Sequence, residues 1–204
     1  MSSKGKKEIA IVRTLAAALG AFLVLNGGPS PTGLSPLMVH AEMAAVATPA
    51  PDAMCPAVQD ANNKLFTTPF HMFSAQANAG VNNGQPTTSE MVFAGGARYI
   101  LFNGKWSASP ISTQELKDLE QRNLKNARNL SCHHVRDESV NGESVALYTT
   151  HSESTHGKDD NQIWISKTRG LILRQETDLD TGGANGKTHL SIRYDYTNIQ
   201  APKL

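Results

Sequence analysis

Asn-Gly dipeptides between alternating polar and apolar runs are the feature that most constrains this chain. Four occur after residue 69, at 83–84, 103–104, 141–142 and 185–186. Asn and Gly tolerate the positive φ angles that two-residue hairpin turns require, so the dipeptide between alternating runs predicts a β-hairpin. The alternation continues on both sides of the pairs at 103 and 141, which favours hairpins there over ordinary polar loops. We therefore expect a fold made mainly of antiparallel neighbours.

A period-two pattern runs through most of the chain after residue 69, and helical spacing appears twice. One helix is predicted at 55–66, and a second begins at the capping box 112–115 and ends near Asn129. The predicted fold class is α+β: a curved antiparallel sheet, an incomplete barrel of about eight or nine strands, with two helices packed on one side. The strands are predicted at 70–77, 90–94, 97–102, 105–107, 133–138, 143–151, 162–166, 171–179 and 187–199.

The first 25 residues have the pattern of an export signal. An uncharged, mostly apolar segment at 14–25 follows a basic stretch that contains Lys4, Lys6, Lys7 and Arg13. A dozen such residues suit a signal-peptide core and are too few to cross a hydrocarbon layer of about 30 Å as a helix. Small-x-small patterns predict a signal peptide over 1–41, with cleavage after 47 as the alternative. The mature chain is predicted to be periplasmic and to have no transmembrane span.

The rest of the chain is predicted to form a leader and one domain. Residues 42–54 are rich in Pro and Ala, a composition that cannot bury enough apolar surface to offset the entropy of ordering, so we expect a flexible leader. Residues 55–204 are long enough for a single domain with its own core. Removing the signal changes the formal net charge from +1 to about −2. A weakly acidic domain has no electrostatic footprint for nucleic acid.

Two cysteines, Cys55 and Cys132, lie in the predicted domain. An even number of cysteines in an oxidising compartment predicts a disulfide. The bond would tie the first helix to a strand in the middle of the chain. Two free buried thiols are the alternative.

Motifs that suggest catalysis or metal binding lack the context that the chemistry needs. The aspartic-peptidase tripeptide at 180–182 lies 22 residues from the C-terminus, too close for a flap and further strands. A calcium loop counted from Asp178 has His189 where a bidentate Glu is required. His133 and His134 would point to opposite faces of one strand. No Gly-x-Ser-x-Gly elbow occurs. We predict no enzymatic activity, no metal site and no cofactor.

Aromatic and aliphatic side chains recur along the predicted strands. Alternation sends about half of them to the core. The concave face of a bent sheet can exceed what two short helices fill, which would leave a cavity for an apolar ligand; a filled core is the alternative. The predicted ligand-lining residues are Phe73, Val92, Tyr99, Leu101, Trp106, Leu147, Trp164, Leu173, Ile192 and Tyr194.

The C-terminal stretches IWISKTRGLILRQE and HLSIRYDYTNIQAPK carry a family pattern. A strand with Trp164 enters a turn at 170–171, and the last strand ends in the tail 194–202. Together with the early strands at 96–106, this pattern resembles the periplasmic lipoprotein-carrier superfamily of LolA-, LolB- and LppX-like half-barrels. The resemblance implies an incomplete barrel, capped by helices, that holds acyl chains or other lipids in transit through the periplasm.

The functional prediction is an exported periplasmic binding protein for a hydrophobic ligand, such as a lipid or acyl chain, and the resemblance implies a lipid or lipoprotein carrier. The alternative is a non-enzymatic envelope interaction or sensor domain with a filled core. Such a domain would contact an envelope protein through exposed sheet edges or the charged helix at 113–128. An open or a plugged concave face distinguishes the two.

Overall fold

A computed structural model describes residues 55–78, 85–155, 157–182 and 186–204. The predicted signal and leader and the Asn-Gly pair at 83–84 lie outside the described residues, so the proposed domain boundaries stay a prediction. The described part has two helices and nine strands. They are α1 (Pro56–Lys64), β1 (Phe70–Asn78), β2 (Thr87–Ala94), β3 (Ala97–Phe102), β4 (Lys105–Ala108), α2 (Thr113–Asn126), β5 (Arg128–Val140), β6 (Glu143–Ser154), β7 (Gly157–Ser166), β8 (Ile172–Asp180) and β9 (Lys187–Asp195).

The nine strands form one antiparallel sheet in the order β4-β3-β2-β1-β9-β8-β7-β6-β5. Strands β4 and β5 are the two edges, so the sheet is an incomplete barrel that does not close. The predicted α+β class with two helices and a meandering sheet is confirmed. Neither helix of the described residues is long and apolar enough to cross a membrane.

The two preferred Asn-Gly hairpins are confirmed. Asn103 and Gly104 have φ angles of 50° and 73°, and Asn141 and Gly142 have φ angles of 52° and 82°. Both central residues of each turn therefore adopt the left-handed conformation that a type I′ turn requires. The turns join β3 to β4 and β5 to β6.

Several element boundaries differ from the prediction: β2 begins at Thr87 rather than 90, β6 ends at Ser154 rather than 151, and β9 ends at Asp195 rather than 199.

Two further strands differ from the prediction because polar residues continue them at their starts. Strand β5 begins at Arg128 rather than 133, and β7 begins at Gly157 rather than 162. Helix α2 ends at Asn126, because Ala127 is already extended with ψ 141° and leads directly into β5. The first residues of β5 and β7 lack the alternation of polar and apolar residues that predicts a strand. The sequence therefore does not show where these two strands begin.

The helices lie on one side of the sheet, which we call the inner face; the opposite side is the outer face. Helix α1, together with Leu65 just after it, packs Val58, Ala61 and Leu65 against this face. The sheet residues of the same cluster are Phe70, Met72, Met91, Phe93, Ile163, Ile165, Ile172, Leu190, Ile192 and Tyr194. These apolar side chains form a packed core under α1.

A disulfide joins Cys55, the N-cap of α1, to Cys132 on β5, with Cα atoms 5.5 Å apart. This separation is normal for a disulfide. The predicted pairing is present, and it ties the first helix to an edge strand. Disulfides persist in oxidising compartments, which supports a location outside the reducing cytosol.

Candidate ligand-binding groove

Two adjoining cavities lie between α2 and the inner face of strands β6 to β9. Their volumes are about 100 Å³ and about 90 Å³. Both are lined by Asn123, Ala127, Ser152, Asp159 and Asn161. Because they share these residues, we treat them as one feature and call it the α2 groove.

The floor of the α2 groove is a buried hydrogen-bond network. The side-chain oxygen of Asn161 accepts from Thr177 Oγ1 at 2.7 Å and from Gln175 Nε2 at 3.2 Å. Its Nδ2 donates to Thr150 Oγ1 at 3.1 Å. All four side chains are buried, and a network whose members are paired is rigid and specific rather than costly. This floor is polar where the core under α1 is apolar.

Two carboxyl groups face the groove from opposite sides. Asp159 on β7 accepts from Ser152 Oγ at 2.7 Å and from Asn161 Nδ2 at 3.2 Å, and its burial raises its pKa. Glu120 on α2 has no hydrogen bond or ion pair within the described part of the chain, and burial raises its pKa to about 7. Beside Glu120, the Nδ2 atom of Asn123 is buried and has no partner among the described residues.

Apolar side chains complete the walls of the groove. Leu65 and Phe66 close the end of the first cavity next to α1, and Leu179 and Leu190 line the second. The groove therefore offers apolar surface at its ends and hydrogen-bonding groups along its floor. A molecule with both kinds of surface is the chemical match for such a lining.

Helix α2 is held firmly at its start and loosely elsewhere. Its capping box is formed: Ser112 N donates to Glu115 Oε2 at 2.8 Å, and Glu115 N donates to Ser112 Oγ at 3.2 Å. Arg98 Nη1 donates to Thr113 Oγ1 at 3.0 Å. Of the α2 residues, all of which are described, only Leu116 is buried, and Leu124 over the groove is 43% exposed. The helix lies across the groove without packing into it.

Arg98 anchors the start of α2 from the interior of the protein. Its guanidinium lies between the rings of Phe66 and Phe93, 5.4 Å and 4.9 Å from their centroids, and burial lowers its pKa to about 10. Its Nη2 also donates to the carbonyl of Leu65 at 3.4 Å. This carbonyl lies at the end of α1, where the helix dipole favours a cation. Arg98 therefore connects the end of α1 to the start of α2.

No protein-family model matches this chain, and no curated protein sequence matches it. Solved structures of similar fold include the lipoprotein LppX of Mycobacterium tuberculosis, with 11% identity, a TM-score of 0.43, and coverage of 71% of this chain and 95% of that chain. LprF of Mycobacterium bovis has 9% identity and a TM-score of 0.39, with coverage of 77% and 97%. A putative outer membrane lipoprotein-sorting protein domain from Vibrio parahaemolyticus has 9% identity and a TM-score of 0.24, with coverage of 71% and 92%.

The fold of these neighbours is of the kind that the C-terminal strand pattern predicts. The likeness concerns the fold alone, and with TM-scores below 0.5 it carries nothing about the ligand of this chain.

The predicted ligand-lining residues do not line the α2 groove. Ile192 and Tyr194 are on the inner face, inside the packed core under α1. The other eight lie on the outer face. Cross-strand pairing places five of them there, on strands β1 to β4: Phe73, Val92, Tyr99, Leu101 and Trp106. The remaining three, Leu147, Trp164 and Leu173, pack together in a second cluster on that face. That these side chains contact a ligand stays a prediction.

Arginines cover part of the aromatic surface on the outer face. The Arg193 guanidinium lies 4.3 Å from the ring centroid of Phe73, and that of Arg174 lies 4.8 Å from Trp164. Both pairs belong to one cross-strand row, since Phe73 pairs with Arg193, Arg193 with Arg174 and Arg174 with Trp164. Cation–π contacts of this kind stabilise aromatic rings at a surface.

Four of the five described histidines form ion pairs: His71, His134, His151 and His189. His151 Nδ1 lies 2.7 Å from Asp160 Oδ1, and His189 Nδ1 lies 2.8 Å from Asp178 Oδ1. These carboxylates raise the pKa of both histidines. No group of three or more His, Cys, Asp or Glu side chains suited to a metal ion occurs within the ranges that the structure describes.

Sequence reasoning missed the groove residues Glu120, Asn123, Asp159 and Asn161. A signal existed for the two on the sheet: every residue is polar at 158–162 on β7 and at 149–154 on the adjacent β6, so both faces of these strands are polar there. Such a pattern indicates a strand face that is polar where a core is expected. Glu120 and Asn123 have no comparable signal, because polar residues dominate α2.

Proposed function

We propose that this protein is an exported, non-enzymatic binding module that holds one amphiphilic, lipid-like molecule in the α2 groove. The observation that supports this most directly is the mixed lining, with a polar floor around Asn161 and apolar ends at Leu65 and Leu190. An acyl chain would lie against the apolar ends, and the headgroup would meet the floor. The disulfide and the N-terminal export pattern support a periplasmic location.

Binding requires α2 to move. Each cavity, at about 100 Å³ and 90 Å³, is smaller than the roughly 300–1,000 Å³ of typical ligand pockets. Helix α2 is suited to such a movement, because Leu116 is its one buried residue and Arg98 holds only its first turn. Its later turns can rise from the floor while the start stays attached.

The role is binding rather than catalysis because the amide and hydroxyl groups of the groove floor bond to one another. Asn161, Thr177, Gln175 and Thr150 form a closed amide and hydroxyl network. A nucleophile would instead be paired with a base that is aligned by a third group.

A second candidate function is the envelope interaction domain, and the outer face favours it. The core under α1 is filled, with Phe70 and Ile172 both at 0% exposure. The outer row contains the exposed Arg193 and Arg174, and arginine is one of the residue types that dominate protein–protein hot spots. In this case a protein partner would cover the outer face and the groove would stay empty.

Two variants, each with one alanine replaced by phenylalanine, separate the two functions. Ala127 is buried and lines both cavities, so Ala127→Phe fills the groove. Ala75 lies on the outer face of β1, opposite Ser191, so Ala75→Phe is the matched control. Both variants and the full chain, purified in oxidised form, would be titrated with a fluorescent acyl probe, with thermal unfolding as the folding check.

We expect Ala127→Phe to weaken probe binding about tenfold or more, since the added ring occupies the space of the ligand. Ala75→Phe should bind like the unmodified chain. Equal binding by all three proteins, or a loss confined to Ala75→Phe, would contradict the proposed site.

A further inference from the structure

We propose that the α2 groove selects amphiphiles whose headgroup carries a positively charged amine. This inference rests on the proposed function, because it specifies the headgroup of the molecule that the groove would hold. It follows from the charges, the missing partners and the geometry of the groove.

The charged groups that line the groove are acidic. Glu120 faces the first cavity from α2, and Asp159 faces both cavities from β7. No lysine or arginine is among the described residues that line either cavity. Arg98 and Lys117 do not line either cavity, and their cationic groups lie over the ring of Phe66, 5.4 Å and 5.5 Å from its centroid. A cationic group is the electrostatic complement of such a site.

Glu120 is the group that lacks a partner. Asp159 is oriented by Ser152 and Asn161, whereas Glu120 has no bonded or charged neighbour in the described part of the chain. A partly buried carboxylate without a counter-charge is costly, and the raised pKa of Glu120 reflects that cost. An ammonium group brings three donors and a positive charge, so it can supply the counter-charge and the hydrogen bonds that Glu120 lacks.

Asn123 adds a second requirement. Its Nδ2 atom is buried without a partner among the described residues, and it lines both cavities. A buried amide N–H needs an acceptor. An amine headgroup with a hydroxyl or ester oxygen beside it would satisfy the carboxylates and this donor together. A phosphate or fatty-acid headgroup would place its charge next to Glu120 and Asp159, which is unfavourable at low dielectric.

Three amphiphiles with the same chain test the headgroup. Dodecylammonium, dodecanoate and dodecyl maltoside would be titrated calorimetrically into the oxidised full chain, below their micelle concentrations, at pH 8. Glu120→Gln and Asp159→Asn remove one charge each with little change in shape. Asp118→Asn is the matched control, because Asp118 is exposed on the same helix and does not line the groove.

We expect dodecylammonium to bind about tenfold more tightly than the other two, and Glu120→Gln and Asp159→Asn each to weaken it about tenfold. Asp118→Asn should leave it unchanged. At pH 5.5 the binding of dodecylammonium to the unmodified chain should weaken, because protonation removes the carboxylate charge. Unfolding midpoints would show that each variant is folded.

The results that would contradict the headgroup inference differ from those that would contradict the proposed binding function. If dodecanoate or dodecyl maltoside binds as tightly as dodecylammonium, or if Glu120→Gln behaves like Asp118→Asn, the headgroup inference is overturned while the binding function stands. Dodecylammonium binding that survives Ala127→Phe lies outside the groove and also overturns it. If none of the three molecules binds, the proposed function fails, and the headgroup inference fails with it.

Discussion

The two halves of the inner face differ in what covers them and in how they are filled. Under α1 the sheet presents Phe70, Met72 and Ile172, all at 1% exposure or less, against the apolar side of the helix. Under α2 the same sheet presents Asn161 and Thr177, hydrogen-bonded to each other beside unfilled space. One half is built as a core and the other as a lined groove.

The change from one half to the other occurs within single strands. On β7 the inner positions are Asp159 and Asn161 and then Ile163 and Ile165. The covering helices change in the same way, since α1 buries Val58 and Ala61 whereas α2 buries only Leu116. Sequence, sheet face and helix thus agree on where the molecule packs tightly. The half that forgoes this packing is the one available for a ligand.

The largest test of this comparison is a pair of truncations on β8. Ile172→Ala and Leu179→Ala remove the same number of carbon atoms, the first from the core and the second from a wall of the groove. We expect Ile172→Ala to lower the free energy of unfolding by about 3–5 kcal/mol and Leu179→Ala by only about 1 kcal/mol, because Leu179 already borders space. Urea denaturation of both variants measures the difference.

Similar losses at both positions would mean that the groove half is packed as tightly as the core half. A loss at Leu179 greater than at Ile172 would reverse the comparison altogether. The slope of the denaturation curve should stay the same in both variants, since neither changes the surface exposed on unfolding by much.

The disulfide joins the two halves, and its removal should have the next largest effect. Cys55 caps α1, and Cys132 pairs with Thr150, whose side chain belongs to the groove floor. With a sequence separation of 77, the loop-closure model gives about 4 kcal/mol, and measured values run at about 2–4 kcal/mol. We expect the Cys55→Ala, Cys132→Ala double variant to lose this amount in thermal or urea unfolding.

A reducing agent provides the control for that variant. It should lower the unfolding midpoint of the unmodified chain to nearly that of the double variant and leave the double variant unchanged. An unmodified chain whose midpoint does not respond to complete reduction would show that the bond contributes little to holding the halves together.

The sequence predicted most of the fold because its signals are local. The Asn-Gly pairs at 103 and 141 require specific φ angles, and the capping box at Ser112 requires a helix start, so each specifies its structure without knowledge of distant residues. The cysteine pair could be predicted for a similar reason, because only one pairing exists. The helix-on-sheet arrangement followed from these elements.

The sequence did not predict the site because alternation leaves one choice open. It shows that Leu147 shares a face with Val145 on β6, but not whether that face carries the helices. That depends on the side of the sheet to which the chain between β4 and β5 returns, which is a tertiary property. The sequence therefore predicts apolar residues on the inner face, whereas polar residues such as Asp159 and Asn161 form the groove.

The smallest expected effect comes from Glu120, and its sign distinguishes a groove from a core. Burial raises the pKa of Glu120 from 4.5 to about 7 in the folded protein. Between these values the folded state binds more protons than the unfolded state, so the free energy of unfolding falls as the pH rises from about 4.5 to 7. Glu120→Gln cannot lose a proton and escapes this loss. We therefore expect the variant to be more stable than the unmodified chain by about 1–3 kcal/mol at pH 8 and nearly equal at pH 4.

Urea denaturation at several pH values, with Asp118→Asn as the control, measures this effect as a difference between proteins. The difference is needed because His151 and His189, whose pKa values are raised by their carboxylates, also make stability fall with rising pH. The two histidines contribute equally in both proteins, so their contributions cancel in the difference between the free energies of unfolding. A variant that is less stable than the unmodified chain at pH 8 would mean that the Glu120 carboxylate has a favourable partner in the folded state. The groove would then be a satisfied part of the structure rather than a site that awaits a cation.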